Sequence, residues 1–376
     1  MKPLTKRLLN LALIFGTLAI VLYIGFQDHN LPDTVKVLTS ISVPAVILCV
    51  LLYLLFVFCD ALSIWYFLRR QGYRVGILYV YFTSIAGQYY SNITPGATGG
   101  QPMQIYYLHK RNIPTGVATS ALITRFFSFQ FMLLVIGTFC WVTHIEYVRQ
   151  HFGDWYWALI MGYVWNVMVC ALIIVMSFFR PAVRWIANLA LKLGAKLRLI
   201  KNPEKTREKW MRSVDNFHNT MRDVLHHPAD LCVQLLIGAA QLLALMTIVW
   251  FIYKQPTIGV PGAATYPQII TLDVLEYTAA AYTPLPGASG AQEVMFAQAF
   301  GGVFGGNTFP AQLLWRFFTF YISLIIGLVV VTADGLRSGK SLREVANMRD
   351  RIEAENKEIE EMHAEQKPEN ETAENE

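Results

Sequence analysis

Charge is scarce in this chain. Asp, Glu, Lys and Arg supply 15% of its 376 residues against 54% hydrophobic, too few to cover the surface of a water-soluble domain. A glycine-rich nucleotide-binding motif is missing, so any transport is expected to draw on a gradient or on the cargo's own concentration difference and not on bound ATP. The five cysteines (Cys49, Cys59, Cys140, Cys170, Cys232) lie in or beside apolar runs without metal or redox spacing. They read as small packing residues. None of the eight histidines forms a ligand pair inside an apolar run. No metal, no cofactor and no nucleic-acid partner is therefore expected. The first apolar run lacks a small-residue cleavage site after it, which argues for a retained helix and against a signal peptide.

What is present is apolar length. Runs long enough to cross roughly 30 Å of hydrocarbon are read at about 8–26, 37–68, 116–141, 155–179, 231–253 and 311–332. Two more, near 75–92 and 268–282, are too short or too interrupted to count as secure spans. Lysine and arginine fix the expected orientation. Lys36, Arg149 and Lys254 fall on one side, Arg125 and Arg316 fall within spans, and all the others fall on the opposite side. The positive-inside rule then places both termini in the cytoplasm. Arg74 and Lys110 share a side, so residues 75–109 must enter the membrane and return. Residues 255–310 must do the same from the opposite face. The expected fold is an all-α polytopic membrane protein with about six full spans and two re-entrant hairpins.

Each hairpin carries a Pro-Gly break, and the break is repeated. "PGATGGQ" (95–101) and "PGASGAQ" (286–292) agree at five of seven positions with an offset of 191 residues. The same offset carries Arg125 onto Arg316, and "TRFFSFQF" (124–131) onto "WRFFTFYI" (315–322). This reads as an internal duplication of opposite orientation, repeat one about 75–141 and repeat two about 268–332. Inverted repeats with Gly/Pro-interrupted hydrophobic segments are the sequence pointer to a transporter-type site near the membrane middle. Broken backbone at that depth is tolerated only where it is buried in protein or lines a cavity.

The candidate substrate-binding residues follow from that pattern. They are Asn92, Thr94, Pro95, Gly96, Gly99, Gly100 and Gln101 in the first copy, with Pro286, Gly287, Ser289, Gly290 and Gln292 in the second. Helix starts after each turn would present N–H groups to an anion. Arg125 and Arg316 are costly inside a membrane; they either pair structurally or hold a phosphate between them. Glu293 follows the second turn, while the same offset places Pro102 in the first copy, so the acid belongs to one copy only. It can pair with an arginine, meet a cationic headgroup or carry a proton. Asp273 and Glu276, spaced i,i+3, share a helix face. Asp60 is read as a polar contact near the membrane interface. Tyr89, Tyr90, Tyr106, Tyr107 and Tyr282 read as belt or packing residues. No catalytic residue is assigned.

The basic loop 180–230 has Trp185, Ile186, Leu189, Leu193 and Leu197 at helical spacing, which suits the inner leaflet and its anionic lipid. The tail, 336–376, turns acidic. Its Val345, Met348, Ile352, Ile359 and Met362 lie near a heptad seam that Glu355 interrupts, which permits a homo-oligomer without requiring one. Its last residues have the composition of a disordered segment.

At "NITPGATGGQPMQIYYL" and "TPLPGASGAQEVMF", with Arg125 downstream of the first, the chain resembles the lysylphosphatidylglycerol synthase transmembrane-domain family, also called flippase-like domain proteins. The resemblance covers about 5–335. Members usually carry a Pro-Gly-x-x-Gly-Glu type signature in the first copy; here Gln101 follows Gly100, so copy one lacks its own carboxylate. The resemblance implies a membrane module that flips an aminoacylated phospholipid made by an attached synthetase domain. Residues 336–376 are too few for such a domain, so translocation without synthesis is expected, in a bacterial plasma membrane and with a phosphate-bearing lipid as substrate. Two other readings remain open. One is an enzyme acting on a lipid-linked substrate through Asp273, Glu276 and Glu293, for which no nucleophile or metal constellation is seen. The other is a non-catalytic partner of an envelope-lipid synthase.

Overall fold

The computed structural model describes residues 31–179, 181, 227–280, 283 and 285–338. The apolar run at 8–26, the inner-leaflet helix of the basic loop, Tyr282 and the tail seam lie outside the described residues. The contacts divide the chain into residues 1–327 and residues 328–376. Of the second unit, the described part is the end of one helix.

No strand occurs among the described residues. The helices are α1 (Leu31–Thr39), α2 (Val43–Arg70), α3 (Ile77–Asn92), α4 (Gly100–His109), α5 (Thr115–Thr143), α6 (Ile145–Phe152), α7 (Tyr156–Phe178), α8 (Pro228–Tyr253), α9 (Tyr266–Ala280), α10 (Ala291–Phe304), α11 (Thr308–Arg316) and α12 (Ile322–Ser338). Single 3₁₀ turns at Pro95–Ala97 and Pro286–Ala288 separate α3 from α4 and α9 from α10. Both interrupted segments are thus helix-turn-helix hairpins.

By length and composition, five stretches can cross a membrane: Val43–Arg70, Thr115–Thr143, Ile145–Val175, Pro228–Tyr253 and the longer run Ala291–Asp334. The predicted boundaries shift for local reasons. The run expected at 37–68 breaks at Ser40–Ser42, and α2 then starts with a proline in its first turn, where the missing N–H has no intrahelical partner to lose. It stops at Gly72 (φ +84°), with the Tyr73 amide reaching back to the Leu68 carbonyl at 2.9 Å, a Schellman-type end. The run expected at 311–332 is three pieces: α11, a π-helical turn over Phe317–Tyr321, and α12.

The helices bury one side and leave an apolar face outward. On α2, Val43, Ile47, Leu51, Leu55 and Phe58 are exposed, while Cys49, Tyr53, Val57, Asp60, Ile64 and Phe67 are buried. An apolar stripe facing outward from a bundle suits lipid as solvent. Long α2 packs against α8, and both pack against α5; α9 lies against α5, α7, α8 and α10. The first hairpin packs on α2 and α5, and the two Pro-Gly turns touch each other.

Small residues permit these approaches. A Cβ on Gly238 of α8 would stand 2.8 Å from the Ser128 carbonyl oxygen of α5. Neither backbone can yield without parting the helices. Gly238→Val is therefore expected to destabilise the protein by about 1–3 kcal/mol, read as a lower melting temperature in detergent. Leu236→Ala, at a position 70% exposed, should leave the melting temperature nearly unchanged; equal losses in both would contradict the close packing.

Candidate functional site

The two turns share one backbone shape. Gly96 and Gly287 sit at φ +59° and +60°, and the alanine after each, Ala97 and Ala288, at φ +55° and +50°. A left-handed alanine costs about 1 kcal/mol or more, so the surroundings must hold these turns in place. Identical strain at equivalent positions shows that the repeated heptapeptide specifies a repeated conformation. Gly100 is required for a different reason: a Cβ there would stand 2.7 Å from the Gly87 carbonyl oxygen of α3, so only glycine lets the two arms of the hairpin approach.

The helix starts after the turns are capped from within. Thr94 Oγ1 accepts the Gly99 N–H at 2.8 Å and donates to the Tyr90 carbonyl at 2.7 Å. At the second turn, Glu293 Oε2 accepts the Gly290 N–H at 2.5 Å. The anion expected at a helix start is, in the second copy, the protein's own carboxylate.

Glu293 has a second task. Its Oε1 accepts from Arg316 Nε at 2.6 Å. Arg316 Nη1 donates to Gln292 Oε1 at 2.6 Å and to the Gly287 carbonyl at 3.1 Å. The guanidinium also lies 5.3 Å and 5.4 Å from the ring centroids of Trp315 and Phe320, within cation–π range. One arginine therefore ties α11 to the second turn and to the start of α10.

Arg125 is held differently. Its Nη1 donates to Asp60 Oδ1 at 2.5 Å, and Asp60 is fully buried in α2. Gln241 Nε2 of α8 reaches the same oxygen at 3.3 Å, and Gln104 Nε2 of α4 reaches Oδ2 at 3.4 Å. Asp60 thus gathers donors from three helices. This corrects its reading as an interfacial contact. The helix continues to Arg70, so Asp60 lies roughly 15 Å from that end at 1.5 Å per residue. It also supplies the carboxylate that copy one lacks.

Both arginines thus sit in ion pairs, each with its own acid, and each keeps one buried nitrogen without a partner: Nε of Arg125 and Nη2 of Arg316. Side chains of α9 reach both. Its Tyr277 lies within electrostatic reach of Arg125, and its Glu276 within reach of Arg316, Glu293 and Asp273. Glu276 and Asp273 are buried, and neither carboxyl oxygen of Glu276 has a hydrogen-bond partner.

The remaining candidates divide. Asn92 Nδ2 donates to Ser323 Oγ at 2.9 Å, just past the π-helical turn, and Tyr53 of α2 bonds the same serine. Ser289 and Gln292 are buried, whereas Gln101, at the position equivalent to Gln292, is exposed. Pro95 and Pro286 open their turns. Among the described residues, no group of three or more His, Cys, Asp or Glu is placed to hold a metal. Asp60, Gln104, Gln241, Tyr53 and Ser323 join the site without having been singled out as candidates. The signal for two of them was there: Asp60 is the one charged residue of the apolar run 37–68, and Gln241 is a polar residue deep inside the run 231–253.

The Arg125–Asp60 pair predicts a strong coupling. Asp60→Ala should cost about 3–5 kcal/mol by leaving a buried charge unpaired. Adding Arg125→Ala should recover much of that loss in a double-mutant cycle of thermal unfolding. Losses that simply add would show that the pair does not form.

Comparison with known families agrees with this architecture. No curated protein matches the chain. The model of the lysylphosphatidylglycerol synthase TM region matches residues 7–327. Spanning both Pro-Gly turns and both arginine pairs, that match establishes that the chain belongs to this family.

Proposed function

We propose that this multi-pass membrane protein is a carrier that moves a phosphate-bearing lipid between the leaflets of a bacterial plasma membrane. The observation that supports this reading best is the meeting of the two Pro-Gly turns, each strained alike and each followed by a helix start. Membership of a lipid-related membrane family fits the same reading. With both termini in the cytoplasm by the positive-inside rule, the first hairpin enters from inside and the second from outside. A headgroup admitted between the turns would pass from one face to the other as they part, the alternating access of inverted repeats.

The arginines take a particular role in this scheme. Each is committed to a carboxylate, yet each retains one buried nitrogen whose N–H has no acceptor. A phosphate oxygen could take those N–H groups when the turns separate, with Asn92, Thr94, Gly96, Gly99, Gly100, Gln101, Gly287, Ser289, Gly290 and Gln292 lining its path. The ion pairs act as latches on the closed state. Lysine in place of arginine keeps the charge but loses the planar fork.

Liposomes carrying the purified protein and fluorescent phospholipids of several headgroups would test the carrier directly, by bleaching of outer-leaflet dye. Arg125→Lys and Arg316→Lys are each expected to slow flipping at least about tenfold, equivalent to 1.4 kcal/mol in the barrier. No flipping of any headgroup by the unaltered protein, or undiminished rates in both variants, would contradict the proposal.

The topology is tested separately. Gln101→Cys and Leu285→Cys, both at exposed positions, are expected to react with an impermeant thiol reagent from opposite faces of sealed vesicles. Reaction of both from the same face would overturn the inverted arrangement.

A further inference from the structure

The second turn holds an excess of acid over base. Three carboxyl groups, Asp273, Glu276 and Glu293, accompany one cation here, Arg316, and Asp273, Glu293 and Arg316 each lie within electrostatic reach of Glu276. Glu293 takes the Arg316 Nε. Glu276 takes nothing: it is fully buried and both its oxygens lack a donor. One arginine nitrogen close by, Nη2, is buried and also lacks a partner. An ionised carboxylate without water or donor is among the least favourable groups a protein can bury; the neutral acid is far better tolerated there.

The surrounding elements offer Glu276 little else. On its own helix are Asp273 and Tyr277; α10 contributes Glu293 and α11 contributes Arg316. Arg125 of α5 faces Tyr277 and is already paired with Asp60. Cys170 lies on α7, which contains no Asp, Glu, Lys or Arg, and the only one of these on α8 is Asp230 in its first turn. On α6, Glu146 and Arg149 pair on an exposed surface, and His151 bonds the Tyr147 carbonyl. His144, between α5 and α6, bonds Thr271 more than a turn away from Glu276.

The geometry points to Glu276 as the proton-carrying group of this protein, exchanging with Glu293 for Arg316 as the second turn opens and closes. In the closed state Glu276 holds its proton and Arg316 belongs to Glu293. When the turn parts and water enters, the proton leaves to water. The carboxylate then takes the free Arg316 Nη2. Competition for the guanidinium weakens the Glu293 pair, and with it the bonds to Gln292 and Gly287 that hold the Pro286–Ala288 turn. Proton return reverses the exchange. The coupling of this cycle to lipid movement rests on the carrier reading above; the proton site itself does not.

Two measurements keep those apart. The first is the infrared band of protonated carboxyl groups in the full-length protein in lipid nanodiscs. It should be present in the unaltered protein, shrink as the pH is raised, and lose its titrating part in Glu276→Gln. An unchanged melting temperature would show that this near-isosteric variant folds. A band that persists in Glu276→Gln, or disappears instead in Asp273→Asn, overturns the assignment. The second is lipid flipping in vesicles under an imposed pH gradient, which one polarity should accelerate and which should lose that dependence in Glu276→Gln. A band lost in the variant, with flipping indifferent to the gradient, overturns the coupling. If no lipid moves at all, the carrier reading and the coupling fall together, and the infrared band still decides the proton site.

Discussion

A guanidinium inside an apolar bundle must find a partner, and most of this structure is arranged around two such partnerships. The fully buried Asp60 draws Arg125 from α5, Gln241 from α8 and Gln104 from α4 to one carboxylate. Three long helices, α2, α5 and α8, and the first hairpin are thereby fixed against each other at one point. Apolar packing against lipid has little preference for one register of a smooth helix over another. A buried charge does, because a misplaced partner leaves an ion without water or donor.

The second partnership serves a different end. Arg316 reaches the Gly287 carbonyl, Gln292 and Glu293, so it binds the broken segment directly and not a neighbouring span. Glu293 at the same time caps the start of α10. One cation and one anion therefore set the position of the turn and the direction of the helix after it. The two copies, alike in their left-handed turns, differ in where the acid comes from. In copy two it lies within the motif; in copy one it is recruited from α2. The π-helical turn after Arg316, absent after Arg125, extends the asymmetry, and irregular helix of this kind is frequent at functional sites. The repeated motif thus sits in two unequal sets of contacts.

Function follows from that inequality in the scheme proposed here. The Asp60 cluster brings several donors to one carboxylate. The Arg316 cluster has an excess of carboxyl groups and a neighbouring π-turn, which in this scheme suit an element with two arrangements of similar energy. In that scheme, membership of a lipid-related membrane family points to the class of cargo, and the site would hold and release it.

Much of this was legible in the sequence, because it depends on local order. Apolar run length, the paired heptapeptides and the arginines at one common offset marked an all-helical membrane protein with two interrupted segments, and both form hairpins. Of the readings open for Glu293, the structure shows its pairing with Arg316. The partner of Arg125 was not legible. Asp60 lies 65 residues earlier and Gln241 more than a hundred residues later, and no periodicity links positions so far apart. The break at Ser40–Ser42 and the π-turn were hidden as well, since hydropathy registers apolar length and not backbone geometry. The sequence by itself determined the class, the breaks and the charges, since each is a property of neighbouring residues. Only the tertiary structure decided which charge meets which, because burying an ion is settled by whichever helix brings a partner close enough to satisfy it.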